Sequence, residues 1–125
     1  MQSKEIIKES GRPIRFRAWN VNTKRIADWE EVENEYGFKY LLGNNITIPM
    51  QYTGLKDKNG VEIYESDVVK FNFIGREEGT SEVKWEYGEW NVTDFSEKVR
   101  ISDNIHEAAD IEVIGNIYQN PELLI

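Results

Sequence analysis

The run Met50-Gln51-Tyr52-Thr53-Gly54-Leu55-Lys56-Asp57-Lys58-Asn59-Gly60-Val61-Glu62-Ile63-Tyr64-Glu65-Ser66-Asp67-Val68-Val69-Lys70-Phe71 reads as strand, turn, strand, turn, strand. Asn59-Gly60 stands between two stretches of β-forming residues, and both residue types tolerate the positive φ that a tight hairpin turn needs. Glu65-Ser66-Asp67 makes a second reversal. After it Val69, Phe71 and Phe73 alternate with Lys70 and Asn72, the period of a half-buried strand. The centre of the chain is therefore an antiparallel meander.

Alternation extends the pattern in both directions. Ile14, Phe16 and Ala18 fall on one face of a strand and Arg15, Arg17 and Trp19 on the other. Asn20 to Lys24 supplies a turn, from which Ile26-Ala27-Asp28-Trp29 returns as the second arm of a hairpin. The acidic run Glu30 to Glu35 reads as an exposed loop or a short helical turn, and Tyr36 to Leu42 as a strand stopped by Gly43-Asn44-Asn45. Ile46-Thr47-Ile48 alternates until Pro49, which cannot donate to a ladder and so suggests an edge or a kink. Gly75 to Ser81 is a polar loop. Beyond it Glu82, Lys84 and Glu86 point one way and Val83, Trp85 and Tyr87 the other, one face wet and one packed. Gly88-Glu89 fits a two-residue turn, with Tyr87 and Trp90 placed to touch across the pair. The section from Phe95 to Asp110 is ambiguous between strand and helix. Ile111 to Tyr118 is a last strand with Gly115 at a bulge or close approach, and Asn120-Pro121 caps and starts a short helical end. The expectation is a mainly β fold, α+β only by virtue of short helices. Its antiparallel hairpins form a small, partly open SH3-like barrel with an N-terminal β-hairpin extension, organised as a polar arm over residues 1–11 and a single domain over 12–125.

The composition narrows the function classes. A chain of 125 residues with 39% hydrophobic residues can bury a core. Cysteine is absent, which excludes disulfides, thiolate metal sites and thiol nucleophiles and fits a cytoplasmic protein. No run approaches a membrane span, and no secretory leader is expected. The only histidine is His106, too little for a nucleophile and base system. Asp57-Lys58-Asn59-Gly60 resembles part of a calcium loop without the ligands that should follow, and reads as a turn. Gly75 to Gly79 lacks the lysine-serine ending of a phosphate loop. The pairs Glu30-Glu31 and Glu77-Glu78 read as solvated surface. Neither catalytic residues nor a metal site or cofactor is expected.

Three segments resemble the YopX family: Gln51 to Gly60 continued by Glu62-Ile63-Tyr64-Glu65 and Asp67-Val68-Val69-Lys70; Ile14-Arg15-Phe16-Arg17-Ala18-Trp19-Asn20; and Ile111 to Leu124. The resemblance spans roughly residues 12 to 124. It implies a small, mainly β protein of phages and prophages of Gram-positive bacteria, with a barrel-like C-terminal part, and it brings no catalytic residues. The family commonly has glycine where Ser66 stands, so this reversal is expected to use a conformation that serine reaches without strain.

Binding remains as the class of function. Four tryptophans and six tyrosines exceed what a core of this size easily buries. That favours a non-enzymatic module holding a protein partner or its own copy. Trp19 shares the face of Arg15 and Arg17, and with Arg25 these residues make the candidate binding face, although a core with material on both sides of the sheet would bury Trp19. The alternative is a nucleic-acid module in which Arg12, Arg15, Arg17, Lys24 and Arg25 contact phosphates and Trp19 stacks on a base. The formal charge of −8 disfavours it. Charge is uneven: residues 1 to 25 carry seven basic side chains against Glu5 and Glu9, so an acidic body that imitates nucleic acid and occupies a host factor is a further variant.

Overall fold

A computed structural model describes residues 14–37, 45–72, 77–94, 97–101 and 110–124. The fold is mainly β and antiparallel, with short helical turns. Of the strand expected over residues 36–42, Tyr36 ends a π-helical turn and Gly37 caps it, so these two are not strand, and residues 38–42 lie outside the described residues, as do the arm over residues 1–11, Phe73, and residues 95–96 and 102–109, with His106, of the ambiguous section from 95 to 110. The chain divides into two compact units, Met1–Gly54 and Leu55–Ile125.

In the first unit β1 (Phe16–Asn20) pairs antiparallel with β2 (Arg25–Ala27) and with β3 (Thr47–Lys56). The β1–β2 turn is built by Asn20, whose Oδ1 accepts from the backbone N–H groups of Asn22 and Thr23, both at 2.9 Å, while Lys24 takes the left-handed φ of 58°. Asp28 leaves the hairpin. Its carboxylate accepts from Glu31 N and the Glu31 carboxylate accepts from Asp28 N, a capping box that starts a one-turn helix, α1 (Trp29–Glu31). A π-helical turn over Val32–Tyr36 continues it, so the acidic run is helical. Asp28 and Trp29 are therefore not strand, because the cap competes better for the backbone. Ala18, Ala27 and Val32 form the core of this unit with Phe16 and Trp29 against them. Pro49 does not interrupt β3: it sits opposite Ala18 and the strand runs on, as proline allows where its N–H is not needed.

The second unit begins with the end of β3, whose next neighbour is β4 (Glu62–Tyr64). The turn between them is organised by Asp57 rather than by two left-handed residues. Its Oδ1 accepts from Asn59 N at 2.8 Å and Val61 N at 2.9 Å, and only Gly60 has positive φ. Asp57 Oδ2 accepts from Val113 N at 2.9 Å, and Lys58 N donates to the Ile111 carbonyl. The turn is thus tied to β10 (Asp110–Asn116). β5 (Asp67–Asn72) lies between β10 and β6 (Gly79–Glu82). Between Val113 and Gly115 the register of β10 on β5 slips, a bulge, and a Cβ on Gly115 would stand 2.5 Å from Asn120 Oδ1 and 2.9 Å from a Leu123 methyl. Gly115 therefore serves both purposes expected of it. Gly79 faces Phe71 across the ladder, where the ring occupies the space of its missing side chain. Asn120 closes the chain end: its Oδ1 accepts from Asn116 N, and a 3-10 turn follows over Pro121–Leu124.

The reversal into β5 places Ser66 at φ 73°, the left-handed region, so the strain-free conformation expected of serine is not the one adopted. Two backbone bonds hold it there, Ser66 N to the Val83 carbonyl and Ile117 N to the Ser66 carbonyl. The third sheet contains β7 (Lys84–Glu86), β8 (Glu89–Asp94) and β9 (Glu97–Arg100) in that order. Ile63, Val69, Phe71, Val83, Trp90, Val92, Ile101 and Ile111 form one core, with Leu55, Val99 and Val113 packed on it.

Candidate interaction surface

Arg15, Arg17, Trp19 and Arg25 do not form one open face. Trp19 pairs with Ile26 on one side and Ile48 on the other, and is only 8% exposed. Arg25 pairs with Asn20, one residue on from Trp19, and so projects from the opposite face. Arg15 and Arg17 are half-buried, with the Arg15 guanidinium 5.1 Å from the centre of the Tyr52 ring. The sheet is covered on both faces at its middle, which alternation alone cannot reveal.

The acidic positions are structural or solvated. Glu31 belongs to the capping box, and exposed Glu78 lies 3.9 Å from Lys70. Both carboxylate oxygens of Asp57 already accept backbone N–H bonds, which accounts for the sequence that resembles a calcium loop. Among the described residues no cluster of histidine and carboxylates is arranged to hold a metal ion. Burial pushes the Glu82 carboxyl above the usual glutamate range; Lys84 draws it back, and Glu65 and Glu86 push it further up.

The open aromatic surface lies on the β7–β8 hairpin. Trp85 pairs with Trp90 and Glu86 with Glu89, which makes Tyr87-Gly88 the two-residue turn. The turn is one residue earlier than Gly88-Glu89, and Trp90 faces Trp85 rather than Tyr87. Tyr87 and Gly88 have φ of 56° and 75°, the two left-handed residues that a type I′ hairpin needs. Val83 is fully buried, yet Trp85 is 50% exposed and Tyr87 84% exposed, so the packed face expected for all three ends at Val83. The last bond to β5 is there, from Val83 N to the Asp67 carbonyl, and beyond it, among the described residues, β7 pairs with β8 alone. Glycine at the second position of a two-residue turn was the signal that could have fixed this register.

The tip is held in shape from below. Trp90, itself in the core, meets Trp85 edge to face with ring centres 4.8 Å apart and planes at 65°. Asn91 Nδ2 donates to the carbonyls of Glu86 and Glu89, at 2.9 and 3.1 Å, bracing the turn from inside. Arg100 Nη1 stands 3.0 Å from Glu89 Oε1. The arrangement offers contact area and fixed geometry.

The model of the YopX protein family matches residues 15–125. Among solved structures, protein EF1440 from Enterococcus faecalis is similar at 25% identity and a TM-score of 0.64, covering 90% of this chain and 98% of that one. The yopX protein from Bacillus subtilis is similar at 24% identity and a TM-score of 0.61, covering 89% of this chain and 98% of its own. No curated protein matches. With the family model covering almost all of the chain and two solved folds agreeing over nine-tenths of it, the protein belongs to the YopX family.

Proposed function

We propose that this chain is a non-enzymatic binding module that holds a protein partner through the tip of the β7–β8 hairpin. The observation that carries the reading is the exposure of Trp85 and Tyr87 on a turn anchored by buried Trp90. Large rings fixed in position and left in water are the composition of an interface rather than of a core. Support for a nucleic-acid module is weaker, because the ring meant to stack, Trp19, has almost no accessible face. The family resemblance adds a setting, the cytoplasm of a bacterial host carrying a phage or prophage. No helix among the described residues is long and apolar enough to cross a membrane.

The test is recovery of partners from host lysate, with and without nuclease, by the native chain and by Trp85→Ala and Tyr87→Asn. A nuclease-resistant protein retained by the native chain and lost by both variants supports the module. Equal recovery by all three removes the hairpin from it, and recovery that depends on nucleic acid replaces it with the other reading. Sedimentation of the same proteins shows whether a second copy is the partner.

A further inference from the structure

Asn59-Gly60 is the one asparagine-glycine pair in the chain. The backbone nitrogen that follows an asparagine can attack its side-chain amide, and glycine puts no side chain in the way. Asn20, Asn91 and Asn116 are instead followed by valine or isoleucine, whose branched side chains screen that nitrogen. Asn59 and Gly60 are both exposed, and a Cβ on Gly60 would meet nothing within 4 Å, so nothing packs against it from that side. The backbone, however, is held. Gly60 N donates to the Asp57 carbonyl at 3.0 Å, while Asn59 N and Val61 N donate to Asp57 Oδ1 at 2.8 and 2.9 Å. Three successive amides are thus bound to one residue. Asn59 is not among the residues with positive φ, so the turn closed by the bond from Gly60 N is of type I. Attack on the Asn59 side chain requires rotation about the Asn59 ψ, which takes the Gly60 N–H away from the Asp57 carbonyl.

We propose that Asn59 is a deamidation site held in check by Asp57, and that its isoaspartate product unties the β3–β4 turn from β10. The Gly60 nitrogen bonds to the Asn59 Cγ and gives up its proton, the Cγ–Nδ2 bond breaks, and Nδ2 leaves with a proton as ammonia. A five-membered imide remains. Water then opens it at either carbonyl, giving aspartate or isoaspartate, and in isoaspartate the main chain runs through Cβ and is longer by a methylene. Water is the only co-reactant, and nothing is oxidised or reduced. The longer chain moves the Gly60 and Val61 amides out of register with Asp57. Asp57 Oδ2 holds Val113 N, and Lys58 N donates to the Ile111 carbonyl, so a displaced turn releases both ties to β10. Because the amide is not restored, the modified fraction records the time that the turn has spent open.

The test ages the full chain in mildly alkaline buffer. Peptide mass spectrometry reads the mass gain of deamidation at each asparagine, and methyl transfer by an isoaspartyl methyltransferase reads the isoaspartate. The native chain is modified slowly, and at Asn59 ahead of Asn20, Asn91 and Asn116. Asp57→Ala is modified at Asn59 about tenfold faster, and Asp57→Asn, which keeps a neutral acceptor, falls between. Val92→Ala removes buried volume on β8, outside the turn, and stays near the native rate, which separates release of the turn from a general loss of stability. The aged chain, separated by its added charge, loses hydrogen-exchange protection at Val61 and Val113 in proportion to its isoaspartate content. Asn59→Asp carries the charge without the methylene and keeps Val113 protected. An Asp57→Ala chain that ages no faster than the native one overturns the check by Asp57, as does a Val92→Ala chain that ages as fast as Asp57→Ala. Modification spread evenly over the asparagines overturns the site, and an aged chain that keeps Val113 protected overturns the release of β10.

Discussion

Replacing Ser66 with glycine should make the protein more stable. Ser66 holds φ 73°, where a side chain's Cβ crowds the following carbonyl at a cost of about 1–2 kcal/mol. It cannot relax, because Ser66 N is bound to the Val83 carbonyl at 2.9 Å and the Ser66 carbonyl to Ile117 N at 3.0 Å. Glycine removes the crowding, and the extra freedom it gives the unfolded chain takes back about 0.5–1 kcal/mol. The expected net gain is about 0.5–1 kcal/mol, or roughly 2–5 °C in Tm for a chain of this length. Equilibrium urea unfolding followed by fluorescence should show a higher midpoint with an unchanged slope. Ser66→Ala is the control: it keeps the Cβ and the strain, and should show no gain. A Ser66→Gly protein that is less stable than the native one, or an alanine variant that matches it, would refute the account.

Asp57→Ala should destabilise by about 2–4 kcal/mol, because three backbone N–H groups, those of Asn59, Val61 and Val113, lose a charged acceptor; urea unfolding measures it, and Asp57→Asn should fall between. Gly115→Ala should cost about 1–3 kcal/mol, since its Cβ would stand 2.5 Å from Asn120 Oδ1 and force the chain end away from β10; native-state hydrogen exchange should show the loss at Asn116 and Leu123 first. Glu82 has a raised folded pKa, so the folded state holds that proton more tightly than the unfolded state does. Its contribution is favourable at low pH and is lost as pH rises from the ordinary glutamate range through the folded value; Glu82→Gln should therefore be the more stable protein at neutral pH, with the difference shrinking in acid.

The meander from Met50 to Phe71 was legible because two periods and two turns agree there: β4 falls within it, β3 enters it from Thr47 and β5 leaves it at Asn72. The turn chemistry was less legible. Asn59-Gly60 and Asp57 compete for the same reversal, and the carboxylate wins because it also reaches Val113, a bond 56 residues long in sequence that no local pattern displays. Asp28 was misread for a related reason: it continues an apolar and polar alternation and also caps α1. The interaction surface was the least legible part. Period two states which residues share a face of a strand, and it placed Trp19 with Arg15 and Arg17; how deeply that face is covered depends on chain that is distant in sequence. At Trp85 and Tyr87 the alternation was right and the burial wrong, because the strand that would have carried the pattern onward breaks at Val83.

Ribosomes deliver a chain from its N-terminus, and in this one β10, which pairs with Val69 and Phe71 and completes the contacts of Asp57, is made well after β5. Translation therefore passes through a stage in which β5 exists without β10 and keeps an apolar ladder uncovered. A message cut before Ile111 yields a sticky, protease-sensitive fragment instead of a weakened protein, and quality control should discard it.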